Sequence, residues 1–180
     1  RFLTHLRTRP TSSIDVAIFS LTDERIRDAL IEAHERGVTV RVISDDATTM
    51  NDGSAVLDLA RAGIQTVVDS DLKVKGGGQH GRGRGGGGGG NGHRHMHNKF
   101  VLIDRQVLIT GSFNFTYAAS SKNCENLLVT DDPFHVQKYG EEFTRLWSEF
   151  YSNTYSESNA RQEAAIKLQL IRQRLRPGFY

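Results

Sequence analysis

Met96-His97-Asn98-Lys99-Phe100-Val101-Leu102-Ile103-Asp104 is the stretch on which the fold turns, and its His-x-Lys pattern occurs once in 180 residues. The branched and aromatic residues from Phe100 to Ile103 mark a buried strand over 96–103. Side chains alternate along a strand, so His97 and Lys99 share a face at its start. An imidazole and an ammonium on one face suit a phosphodiester: one attacks or gives a proton, the other holds the charged oxygens. Asp104-Arg105 joins this strand tightly to another over 106–110, which runs into Gly111-Ser112-Phe113-Asn114. Residues 126–130 read as a further strand.

Upstream the order is β-α-β-α-β. Ser13 to Ser20 is a buried strand, and Thr22 or Asp23 can cap the helix after it. Ile26, Leu30 and Ala33 give that helix an apolar stripe, and Gly37 sits at its C-cap. Strand 38–43, helix 54–62 ending at Gly63, and strand 64–68 follow. Such an order implies parallel pairing through right-handed crossovers. Downstream, Asp132 caps and Pro133 opens a helix to about Tyr151, with Phe143, Leu146, Trp147 and Phe150 facing the core. The expected fold class is α/β: an α-β-α sandwich with a mixed, mainly parallel sheet flanked by helices.

Composition bounds the rest. A chain of 180 residues with 37% hydrophobic and 24% charged residues is one globular domain. A net charge of +2 supplies no overall basic field for nucleic acid. Cys124 stands alone, which forbids an internal disulfide or a multi-cysteine metal site and fits a reducing compartment. No run of about 18 apolar residues is present. The chain begins at Arg1, so a processed or shortened N-terminus is the expectation, with membrane association through a segment ahead of it.

The expected division is a catalytic domain over 1–156 and a basic C-terminal helical tail over 157–180. Residues 76–92 hold 12 of the 18 glycines and no apolar side chain, and are expected to form a flexible surface insertion. The tail carries five Lys/Arg against two Glu.

His97, Lys99, Ser112, Asn114 and Glu125 can converge on one phosphate. Lys99 supplies a point charge, and Ser112 and Asn114 supply neutral donors. His97 can attack phosphorus and form a phosphohistidine, and Glu125 can accept its other ring N–H and fix the tautomer. Asp104 belongs to the same run but lies beyond the strand's active face by parity, and reads as a structural charge partner. His80, His93 and His95 have no carboxylate or thiol beside them in sequence and are not read as a metal site. Asp45-Asp46 at a strand end reads as the cap of the next helix, and Cys124 as a small core filler.

His97-x-Lys99 followed by Asp104, then Gly111-Ser112-x-Asn114 and Glu125-Asn126, resembles the motif set of the phospholipase D superfamily over about residues 12–151. Val40 to Asp45, Met96 to Phe100, Thr110 to Thr116 and Glu141 to Trp147 resemble its one-motif subgroup, the mitochondrial cardiolipin hydrolase or Zucchini-type endonucleases. Bacterial one-motif endonucleases share most of these stretches.

The resemblance implies a phospholipase D-like fold and a homodimer whose two histidines meet across one active site, one attacking and the other protonating the leaving oxygen. His97, Lys99 and Asp104 are the implied catalytic set, and Ser112, Asn114 and Glu125 the phosphate-binding support. No cofactor and no metal are implied. The implied substrates are an anionic phospholipid such as cardiolipin, cleaved to phosphatidic acid, or single-stranded nucleic acid. The implied location is the mitochondrial outer membrane facing the cytosol. A secreted bacterial-type endonuclease and a non-catalytic phosphate-binding module are the alternatives. Two departures stand out: no cysteine precedes Cys124, so the zinc module of animal members is absent, and the glycine-rich insertion falls just before His97.

Overall fold

The computed structural model describes residues 2–49, 51, 53–69 and 95–156. The glycine-rich insertion, His80, His93 and the tail over 157–180 lie outside the described residues. In chain order the elements are α1 (Phe2–Thr8), β1 (Ser13–Ile18), α2 (Glu24–Glu35), β2 (Thr39–Ser44), α3 (Asp46–Thr49), α4 (Val56–Arg61), β3 (Gln65–Val68), β4 (Lys99–Ile103), β5 (Val107–Gly111), α5 (Tyr117–Ser121), β6 (Leu127–Thr130) and α6 (Pro133–Phe150). Six strands form one sheet in the order β3-β2-β1-β4-β5-β6.

The sheet is mixed, as expected, but its balance is antiparallel. β1–β2 and β2–β3 are parallel, whereas β1–β4, β4–β5 and β5–β6 are antiparallel. The parallel half is the β-α-β-α-β run read from the sequence. β4 then returns against β1 in the opposite sense, a short turn leads to β5, and a longer connection through α5 leads to β6.

Helices cover both faces. On one, Ile14, Val16 and Ile18 of β1 and Val101 and Ile103 of β4 pack with Leu6, Ile26, Leu30, Val56 and Leu59 from α1, α2 and α4. On the other, Ala17, Phe100, Leu102 and Leu108 pack with Val136, Phe143 and Leu146 of α6. Trp147 stacks on Phe143 at 5.7 Å. A side chain such as Phe143, fully buried, contributes roughly 1.5–3 kcal/mol.

Local chemistry sets the helix ends. Asp23 caps α2 by accepting the Arg25 N–H, and Asp132 caps α6 by accepting that of His135, with Pro133 in the first turn. Gly37 and Gly63 take φ of +90° and +87° just past α2 and α4, a conformation open to glycine at little cost.

One polar link crosses the second core. Asp15, 1% exposed, takes both forks of Arg41 at 2.8 Å. The guanidinium also lies 4.9 Å and 5.2 Å from the Phe143 and Trp147 ring centres, seating α6 on the sheet. The two edges of the sheet differ. Thr154 bridges to Val67 and the Tyr155 N–H donates to Thr66, so the chain beyond α6 covers β3. β6 exposes Leu127, Leu128 and Val129 at 40–54%. No helix among the described residues is long and apolar enough to cross a membrane.

Candidate active site

The carboxyl ends of β1, β2, β3 and β5 and the start of β4 meet at one end of the sheet, where open α/β sheets bind ligands. His97 precedes β4 and Lys99 is its first residue, paired with Ile18 at the end of β1. Lys99 Nζ lies 3.3 Å from His97 Nδ1 and 3.0 Å from the His97 carbonyl oxygen. Phe19, just past β1, floors the pair: its ring centre is 4.5 Å from the His97 ring and 5.1 Å from Lys99 Nζ. Burial pushes the Lys99 ammonium below its ordinary value, and the nearby Glu125 carboxylate opposes that shift.

The Gly111-Ser112-x-Asn114 and Glu125-Asn126 runs are mutually fitted. The Ser112 N–H donates to Asn126 Oδ1 at 2.9 Å, and the Asn126 N–H donates to Ser112 Oγ at 3.0 Å. A Cβ on residue 111 would stand 2.2 Å from the Asn126 carbonyl oxygen, so only glycine permits this approach. Asn114 has its Oδ1 buried, with no hydrogen-bond partner among the described residues.

Two expectations are corrected: Cys124, expected as a small core filler, is exposed, and Glu125 does not meet the His97 ring. Glu125 accepts from Ser112 Oγ and from Asn123 Nδ2, rather than from the His97 ring. β5 lies between β6 and β4, so a side chain just ahead of β6 meets the end of β5 first. The Ser112 and Asn123 hydroxyl and amide donors hold the Glu125 carboxyl below its usual range.

Asp104, grouped by the motif with the catalytic residues, stands at the far end of β4. Its Oδ1 and Oδ2 accept the N–H groups of Thr11, Ser12 and Ser13 and the hydroxyls of Thr11 and Ser12, at 2.8–3.2 Å. Burial alone would raise this carboxyl, but the donors outweigh it and hold it well below the usual carboxylate range. Asp104 is thus an anchor for the entry to β1.

Sequence reasoning read Asp45-Asp46 as a cap and missed the carboxylate cluster that the pair forms with Asp69 beside His95. Asp45 is fully buried; it accepts the Thr48 N–H at 3.1 Å, capping α3 as expected, and also meets His95 Nδ1 at 2.7 Å. Asp69, after β3, accepts the Met96 N–H at 2.5 Å and the Asp46 N–H at 2.8 Å. Oxygens of Asp45, Asp46 and Asp69 lie within 4.8 Å of one another. Burial raises the Asp69 carboxyl, against the pull of its two N–H donors. The only sequence signal was position: two acidic residues immediately past strands that end at the same edge.

A hollow of about 170 Å³ adjoins His97, lined by His95, Asp69 and, from α6, Glu142, Arg145 and Glu149 among others. A larger one of about 830 Å³, between the β4–β5 turn and the first half of α6, holds none of the motif residues.

Residues 3–147 match the family described as "Cardiolipin synthase, PLD-like domain". The mitochondrial cardiolipin hydrolase of Mus musculus is 36% identical over 145 residues, which are 81% of this chain and 56% of that protein. Its Homo sapiens counterpart is 34% identical over 145 residues, 81% of this chain and 49% of that one. The chain spans about half the length of the curated relatives it matches. Among solved structures, a phospholipase D family member, Nuc, from Salmonella typhimurium superposes with a TM-score of 0.68 at 26% identity, covering 86% of this chain and 88% of that one.

Proposed function

The chain belongs to the phospholipase D-like family, and on that premise we propose that it hydrolyses phosphodiester bonds with His97 as nucleophile. The observation that carries this is the His97–Lys99 pair, 3.3 Å apart on the Phe19 ring at the carboxyl end of the sheet. A lone pair of the His97 ring attacks phosphorus, and the leaving oxygen departs with a proton from a facing imidazole. Water then attacks the phosphohistidine, the P–N bond breaks and the imidazole is regenerated. Lys99 holds a non-bridging oxygen throughout, and Ser112 and Asn114 border the same phosphate. No step requires a metal.

The facing imidazole is His97 of a second copy. Two features support this. The His-x-Lys pattern occurs once, and Leu127 and Leu128 stay exposed on an edge strand whose first residue pairs with Gly111 beside the site. Apolar edge strands are ordinarily covered.

The relatives' names support a cardiolipin-type phospholipid as substrate, and a single-stranded nucleic acid is the other class that the motif resemblance implies. Those names also support a mitochondrial location, proposed as the outer membrane facing the cytosol.

The test gives cardiolipin micelles and labelled single-stranded RNA to one preparation, wild type beside His97→Asn. Whichever substrate wild type cleaves, the variant should lose at least about 10³-fold in rate. Cleavage by the variant at a tenth of the wild-type rate would remove His97 as nucleophile.

A further inference from the structure

His95, His97 and Lys99 lie at alternate positions in the sequence, and all three lie against Phe19. The Phe19 ring centre is 5.9 Å from the His95 ring, edge to face, and also touches His97 and Lys99. This row of three nitrogen-bearing groups gathers around one ring, and the reaction above uses the last two.

His95 is built, not incidental. Its Nδ1 is held at 2.7 Å by Asp45, a carboxylate with no exposure, while its ring is 45% exposed. Nδ1 is committed, and Nε2 makes no protein hydrogen bond among the described residues. The hydrogen bond that His95 donates to Asp45 raises the His95 pKa, with smaller help from Asp69 and Asp46. Across the adjoining hollow the facing charges are Glu142, Arg145 and Glu149 of α6, with Arg145 bound to both glutamates at 2.7–2.8 Å.

We propose that His95, backed by Asp45, is a phosphate seat that takes the phosphate next to the scissile one in a single-stranded polynucleotide. This rests on the phosphodiesterase reading above. A third nitrogen donor beside the His97–Lys99 pair fits a chain that carries successive phosphates, and Phe19 touches all three groups as an apolar floor. The hollow beside the row has Asp69, Glu142, Arg145 and Glu149 among its lining, polar groups that do not suit acyl chains. In its protonated form the imidazole donates from Nε2 to a phosphate oxygen, and buried Asp45 keeps the ring oriented.

The experiment compares kcat/KM for thymidine dinucleotide with and without a terminal phosphate, in wild type, His95→Gln and His95→Arg. Wild type should prefer the flanked substrate by about tenfold or more. His95→Gln should bring the ratio near one, and His95→Arg should restore much of it. A ratio that stays put in His95→Gln, whether both rates fall together or neither moves, overturns the proposal. A parallel arm compares cardiolipin with phosphatidylglycerol. Selectivity lost there, with the nucleotide ratio intact, assigns His95 to a lipid headgroup and overturns the nucleic-acid assignment. Failure of the underlying reading would show separately, as cleavage of either dinucleotide that survives His97→Asn.

Discussion

The backbone N–H of Met96 donates to the Asp69 carboxylate at 2.5 Å, tying the end of β3 to the residue just before His97. Asp69 also holds the first residue of α3, so one side chain joins three segments at the site. Asp69→Ala should free the 95–97 run and lower kcat about 10- to 100-fold with little change in KM, because small misplacements of a reacting group are costly. Asp69→Asn keeps an oxygen acceptor and should be milder. Equal rates for both variants and wild type on bis(p-nitrophenyl) phosphate would remove Asp69 from this role.

Gly111→Ala should damage the site without emptying the core. The added methyl meets the Asn126 carbonyl oxygen at 2.2 Å, so Asn126 and the neighbouring Glu125 must retreat. Activity should fall about tenfold or more, with a loss of about 1–3 kcal/mol in stability. Denaturant titration beside a rate measurement separates the two effects.

Association should be needed for turnover. Leu128→Glu places a charge on the exposed apolar strand and should shift the protein toward monomer and lower activity in step. Sedimentation and rate are read at matched concentrations; a monomer with full activity would contradict the shared site.

Asp104→Ala should destabilise by about 2–3 kcal/mol, since several donors around Thr11 to Ser13 lose a charged acceptor. The sign of its pH dependence follows from the lowered carboxyl. Stability from Asp104 is complete above the ordinary carboxylate pKa and disappears as pH falls toward the depressed folded-state value. Melting curves from neutral to acid pH should converge for variant and wild type, while turnover at neutral pH stays far less affected than stability.

Chelation should leave the rate unchanged, because His97 chemistry uses no metal. Strong inhibition by EDTA, reversed by one divalent ion, would instead give the Asp45–Asp46–Asp69 cluster a catalytic part.

Much of this was legible in the chain because it is local. Caps at Asp23 and Asp132, glycines after α2 and α4, and the tight Asp104-Arg105 turn all act within a few residues. The sheet's antiparallel balance was not legible, since it depends on β4 choosing β1 as neighbour across the interval from 69 to 99. Strand order likewise decided that Glu125 meets Ser112 before it can meet His97. His95 lacks an acidic neighbour along the sequence, yet meets Asp45 fifty residues away because β2 ends where β4 begins. Strand-end proximity is a three-dimensional property, and no residue pattern announces it.

The turn at Asp104 and the pair at His97 and Lys99 occupy opposite rims of one sheet, with four residues of β4 between Lys99 and Asp104. That spacer is a gauge of fixed length. One residue more or fewer would turn either the lysine or the clasp to the wrong side, since each step along a strand reverses its face. The interval within His-x-Lys-x4-Asp therefore measures the width of the sheet, and the chemistry is dimensioned from a mooring on the other shore.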